Sequence, residues 1–125
     1  MNTRLKTTQV AGARVQLLVK QGYRCALCSL PCLEHEAVLD HDHGTGAIRA
    51  TLHRSCNALL GKVENNAPRY GVRNLSAFLH GTAAYLQLHT DNRTGLIHPS
   101  HKTEEEKRLR RNLLAKKRRA IKKQE

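Results

Sequence analysis

Two pairs of metal-type side chains, Cys25-Ala26-Leu27-Cys28 and His53-Arg54-Ser55-Cys56, constrain this chain more than any other feature. A two-residue spacer lets a tight turn present both members of a pair to one ion. The four side chains offer three sulfurs and one imidazole, a set that tetrahedral zinc accepts in a structural site. An ion held this way closes a loop of about thirty residues and contributes its binding energy directly to folding. That matters in a chain of 125 residues with one Phe, three Tyr and no Trp, where aromatic bulk for a core is scarce. Cys32, four residues after Cys28, competes with His53 for the fourth ligand position, but the pair His53 and Cys56 reproduces the two-residue spacing better. Disulfides are the other use for these thiols. No signal peptide is read ahead of them, and reduced cysteines fit a cytoplasmic compartment. His35 reads as a solvated loop histidine.

Apolar spacing at Val10, Ala13, Leu17 and Leu18 predicts a helix over Thr8 to Gln21, with Gly22 as its stop. Ala37 to Asp40 and Ala47 to Leu52 read as two short strands, with Gly44-Thr45-Gly46 in the turn between them. Ser55 is expected to cap a helix running to about Val63, before Asn65-Asn66-Ala67-Pro68 breaks the pattern. Leu75 to Leu88 reads as a further helix, with Leu75, Phe78, Leu79, Ala83 and Leu86 adding apolar area to the core. The expected fold class is α+β. A helical segment at 1–22 precedes a zinc-stapled strand-strand-helix module at 23–65, followed by a helical extension at 66–100 and a basic tail at 101–125. No internal repeat is evident.

Residues between the two ligand pairs, and Asn57 directly after the second, are candidates for the chemistry. Hydrolysis of a phosphodiester in neutral water needs a nucleophile, charge relief on the phosphate and a stabilised leaving oxygen, which one hard cation and one imidazole can supply. Asp40 and Asn57 are oxygen ligands suited to magnesium or another divalent cation. They are expected at the end of the first strand and the start of the following helix. His41 is the candidate general base, because imidazole exchanges a proton near neutral pH, and His43 is the candidate contact to the scissile phosphate. Asp42 reads as a supporting or solvent-facing carboxylate. Arg49 and Arg54 read as phosphate contacts.

The formal charge of +12 at pH 7 points to a polyanionic partner. Acidic membrane surfaces fit less well, since no apolar run is long enough to span a bilayer. Residues 101–125 hold eleven basic and four acidic side chains, net +7, so more than half the excess lies in the last fifth of the chain. Thr103 followed by Glu104, Glu105 and Glu106 has the form of a capping box. The helix it starts has few large apolar residues, Leu109, Leu113, Leu114 and Ile121, and is expected to fray alone and to order on DNA. Lys116, Lys117, Arg118 and Arg119 are its candidate phosphate contacts. A solvated tail that aids solubility is the plainer reading.

Cys25-Ala26-Leu27-Cys28, Leu39-Asp40-His41-Asp42-His43-Gly44-Thr45-Gly46, Ile48-Arg49 and Cys56-Asn57-Ala58-Leu59-Leu60-Gly61 together resemble the HNH, or ββα-metal, nucleases, and within them the phage recombination endonuclease VII group. The resemblance runs from about Gly22 to Gly61, about a third of the chain. It implies a ββα-metal module with a structural zinc on two knuckles. It also implies that Asp40 and Asn57 bind the catalytic divalent ion, that His41 activates water and that His43 assists at the phosphate. A phage-encoded enzyme of this kind would act in the cytoplasm of the infected cell. Two departures stand out. His53 occupies a position where cysteine is usual, and a basic segment replaces the long C-terminal regions that serve dimerisation and junction binding in the group. Holliday-junction resolution is therefore left out of the expectation, and the oligomeric state is left open. The expected function is a Mg-dependent HNH endonuclease that nicks or cleaves DNA. The alternative is a zinc-stapled DNA-binding module that does not cut, and an RNA-directed nuclease is a weaker third reading.

Overall fold

The computed structural model describes residues 2–125. The chain divides into two compact units, Met1–His80 and Gly81–Glu125.

In the first unit, a 3₁₀ turn at Thr7–Gln9 leads into helix α1, Val10–Lys20. The stop expected at Gly22 is present and has a defined geometry. Gly22 sits at φ 65°, its N–H donates to the Val19 carbonyl, and the Tyr23 N–H reaches back to the Leu18 carbonyl. That is a Schellman closure, which satisfies two carbonyls the helix leaves open. Strands β1 (Ala37–His41) and β2 (Ile48–His53) form a two-stranded antiparallel sheet; β1 ends one residue later than the sequence pattern predicts, and β2 both starts and ends one residue later. Val38 pairs with Leu52, and Asp40 with Ala50. The next pair is His41 with Ile48, so Arg49 is an extra residue on β2 and forms a β-bulge there.

A two-stranded sheet cannot stand alone in water, and α1 closes its outer edge. The Gln21 side chain behaves as a short piece of strand: its Oε1 accepts the Thr51 N–H at 2.9 Å and its Nε2 donates to the Thr51 carbonyl at 2.8 Å. Thr51 is fully buried and gives its hydroxyl to the Arg14 carbonyl at 2.7 Å, so this interior polar group is satisfied. The core is small. Leu18, Cys25, Cys32, Ala37 and Leu52 are buried together, with Ala50, Cys56 and Leu60 packed against them.

Helix α2 spans Arg54–Asn66 and continues as a 3₁₀ turn at Ala67–Tyr70 that contains Pro68. Two expectations are corrected here. Ser55 does not cap this helix, because His53 holds the cap position and Ser55 lies in the first turn. The helix also passes Val63 to reach Asn66; asparagine is only a weak helix breaker, and the stop awaits Pro68 and the left-handed Gly71 at φ 75°.

Helix α3 runs from Leu75 to Leu88 as expected, started by the Asn74 Oδ1, which accepts the Ala77 N–H at 3.0 Å. Its expected role in the core is not met. No residue of α3 is buried, and Phe78, Tyr85 and Leu86 are all more than half exposed. The periodicity is that of an apolar face, but periodicity does not specify a covering element.

In the second unit, helix α4 spans Glu104–Gln124. Thr103 caps it as the sequence predicts, its Oγ1 accepting the Glu106 N–H at 3.1 Å. Three glutamates sit at the positive end of the helix and lysines at its negative end, the arrangement the helix dipole favours.

Candidate metal centre and the neighbouring histidine loop

The first knuckle is shaped by the backbone. The Ser29 N–H donates to the Cys25 carbonyl and the Cys25 N–H to the Leu30 carbonyl, with Ser29 at φ 65°. This tight turn brings Cys25 and Cys28 to the start of α2, where Cys56 lies one turn beyond His53. The donor atoms of Cys25, Cys28, His53 and Cys56 all fall within 4.8 Å of one another. The His53 Nδ1 is 3.2 Å from the Cys28 sulfur and 3.9 Å from the Cys56 sulfur. Ligands of a tetrahedral zinc, at ~2.0–2.3 Å from the ion, require separations of this size. The four residues therefore fit a structural zinc ion.

Two further features support that fit. The His53 Nε2 lies 2.8 Å from the Pro31 carbonyl. A carbonyl only accepts, so Nε2 carries a proton, and Nδ1 is the ring atom aimed at the sulfurs, where a metal ion would take its lone pair. The electrostatics of the cation-free cluster are also unbalanced. Burial drives the Cys25 thiol up, but the N–H groups of Cys28, His53 and Leu27 outweigh it and hold Cys25 at about 6. Cys56 is pushed up to about 11, by burial and by the neighbouring Cys28 and Cys25. The Pro31 carbonyl, helped by the Cys25 and Cys28 sulfurs, raises His53 to about 9. A Cys56 thiol held protonated and an imidazole that keeps its proton are what a divalent cation would relieve, releasing protons as it binds.

Cys32 stands outside this set. It is fully buried in the core, its sulfur faces the Leu33 carbonyl at 3.9 Å, and burial raises its thiol. It shares a second, three-residue grouping with Glu36 and His53, on the Nε2 side of the ring. His53, and not Cys32, joins the three-sulfur cluster.

Asp40, His41 and His43 lie at the end of β1 and in the loop that follows. The bulge at Arg49 reverses the alternation of β2 opposite Asp40 and His41, which is how a bulge re-aims a side chain at the rim of a sheet. Asp40 is 5% exposed. The rings of His41 and His43 stack with centroids 4.9 Å apart and planes 27° from parallel. Asn57 lies in the first turn of α2, and α2 packs on both strands. Leu60 of the same helix packs against the core. Asn57 and Leu60 are three residues apart, so Asn57 shares the face that α2 turns toward the sheet.

Asp42, read from sequence as a supporting or solvent-facing carboxylate, organises the loop. Its Oδ1 accepts the N–H groups of Thr45 and Gly44, each at 2.8 Å. These two bonds, the Thr45 one first, hold its carboxyl below the usual range. Its own N–H and carbonyl pair with Ala47 and Gly46. Gly44 has little freedom to change, since a Cβ there would lie 3.3 Å from the same Asp42 oxygen. The loop holding His41 and His43 is thus fixed by a residue between them. Asp42→Ala is expected to release the loop and the stacking of the two imidazoles, with the fold retained. Histidine ring chemical shifts beside a melting curve measure both, and unchanged shifts would show that the loop orders itself without Asp42.

Arg49, read from sequence as a phosphate contact, is directed at two carboxylates. Its Nε and Nη2 donate to Asp40 at 2.7 and 3.1 Å, and its Nη1 and Nη2 donate to Glu64 at 3.2 and 3.0 Å. Arg54 is exposed, with one long bond of 3.5 Å to the His35 carbonyl. Sequence reasoning did not single out Glu64. Its only available signal was its place seven residues after Asn57, two turns along the same face of α2.

Among family models, that of recombination endonuclease VII matches residues 2–88, which takes in the metal cluster, the sheet, α2 and α3. No curated protein matches the chain closely. Among the described residues, no helix is long and apolar enough to cross a membrane.

Proposed function

The chain belongs to the recombination endonuclease VII family, a family of nucleases acting on DNA; from that premise we propose that it is an HNH-type endonuclease that uses a divalent ion to hydrolyse a phosphodiester bond. The supporting observation is the shared position of Asp40, His41 and His43 at the end of β1 and its loop, against a helix face bearing Asn57 and within a frame of four zinc-type ligands.

Asp40 and Asn57 are the residues that would hold magnesium or a similar cation, being hard oxygen donors. Such a cation, when bound, relieves charge on the phosphate and on the leaving oxygen. His41 accepts a proton from the attacking water, whose oxygen bonds to phosphorus as the ester P–O bond breaks. The departing oxygen takes up a proton from solvent, and His41 returns its own to solvent. His43, held against His41 by stacking, donates a hydrogen bond to a phosphate oxygen. Arg54 and the run Lys116, Lys117, Arg118 and Arg119 on α4 contact the DNA backbone.

The second reading, a zinc-stapled module that binds without cutting, is favoured by one observation: Asp40 is paired with Arg49, as a structural carboxylate would be. Incubation with supercoiled plasmid separates the two. Nicked or linear product formed in Mg²⁺ and absent in EDTA supports the enzyme, whereas plasmid retarded but intact in both supports the binding module. Removal of residues 102–125 is expected to weaken DNA binding at physiological salt and to flatten its salt dependence by several units of slope, since each phosphate contact contributes about 0.9. Affinity measured at several salt concentrations tests this. An unchanged slope would exclude α4 from the DNA interface.

A further inference from the structure

We propose that Arg49 and Glu64 form a charge-exchange pair for Asp40: Arg49 is the internal cation that holds the Asp40 carboxylate before a divalent ion binds, and Glu64 retains Arg49 when Asp40 turns to the ion. The inference rests on the reading of Asp40 as an ion ligand.

One guanidinium forms two-point contacts with both carboxylates, using one edge for Asp40 and its far end for Glu64. Asp40 is nearly buried, and a buried carboxylate without a partner is costly. Arg49 removes that cost and cannot be deprotonated, so its charge is permanent. A divalent ion approaching Asp40 must therefore either compete with this cation or find it compensated. Glu64 supplies the compensation. Two carboxylates around one guanidinium leave a net charge of −1, which attracts a cation, whereas Asp40 and Arg49 alone would be neutral and would set the guanidinium against the ion. The Glu64 side chain is 29% exposed, against 7% for Asp40, so Glu64 sits at the wetter end of the pair. The bulge directs Arg49 between them, and Glu64 lies two turns along α2 from Asn57. Arg49 and Glu64 act through Asp40 and are positioning residues.

The exchange predicts shifts of opposite sign, because Arg49 opposes the ion and Glu64 offsets Arg49. Binding of Mn²⁺, followed by electron paramagnetic resonance on the purified full-length protein without DNA, reads them apart from activity. Asp40→Asn should abolish the site. Glu64→Gln should weaken Mn²⁺ binding and Arg49→Gln should tighten it, each on the order of tenfold, the effect of one nearby unit charge in a partly wet site. Equal binding by Asp40→Asn and the parent overturns the ion reading and the exchange with it. Loss of binding in Asp40→Asn, with Glu64→Gln and Arg49→Gln unchanged or shifted the same way, overturns the exchange and leaves the ion reading standing. If Arg49→Gln loses its thermal transition, Glu64→Gln and Glu64→Lys decide: progressively weaker binding supports the exchange, and no change overturns it.

Discussion

Replacing His41 with alanine is expected to slow DNA cleavage by about 10²- to 10⁴-fold, the usual contribution of a positioned general base, while DNA affinity and thermal stability stay close to those of the parent. The separation of the two effects follows from where His41 lies. It is exposed at the end of β1, its pairing with Ile48 is through the backbone, and its ring touches the equally exposed His43. Alanine therefore removes an imidazole without opening a cavity or stranding a buried polar group, the two usual routes to a large loss of stability. Single-turnover cleavage, gel retardation and a melting curve give the three readings. Cutting at the parental rate would take His41 out of the mechanism. A large fall in melting temperature would instead assign it a structural role.

Removal of the zinc-type site is expected to unfold the first unit. Structural zinc contributes about 10–16 kcal/mol in small metal modules at neutral pH, which is as large as the whole stability of an ordinary domain, about 5–15 kcal/mol. The buried apolar set here is small and itself includes Cys25, with Cys56 packed against it. Cys28 gives the cleanest test. It is exposed, so Cys28→Ala deletes a ligand and little packing. Cys32 is the matching control, because it is fully buried but lies outside the four-ligand cluster. Cys32→Ala should cost about 1–2 kcal/mol as a small core truncation and keep the metal. Zinc content by atomic absorption, with circular dichroism before and after a strong chelator, distinguishes the two. Cys28→Ala that stays folded with a full equivalent of zinc, or Cys32→Ala that loses it, would reverse the assignment of ligands.

The zinc frame was legible in the sequence because two-residue spacings impose a local geometry that needs no tertiary information, and Cys25, Cys28, His53 and Cys56 do converge. The strand, strand, helix order was legible for the same reason, from alternation, a glycine turn and helical spacing. What escaped depends on contacts between distant segments. Glu64 meets Arg49 only once α2 has packed on the sheet, and a glutamate late in a helix ordinarily reads as a solvated side chain. The bulge at Arg49 leaves no mark on composition, since Ile48-Arg49-Ala50 is an unremarkable strand sequence. Ser55 failed as a cap because His53, already tied to the knuckles, ends β2 where the helix begins. The apolar face of α3 was visible, but whether anything covers a face is not a property of the segment that carries it.

The proposed activity turns on a divalent ion held by Asp40 in a site that cuts DNA. The nicking rate of supercoiled plasmid, measured against Mg²⁺ concentration for the parent and for Asp40→Asn, tests it most directly. The parent should show no product without the ion and a rate that rises to saturation, and Asp40→Asn should fall by at least about a hundredfold at every concentration, as expected when a metal-held catalytic group is lost. Equal rates for the two proteins, or product formed in EDTA, would contradict it.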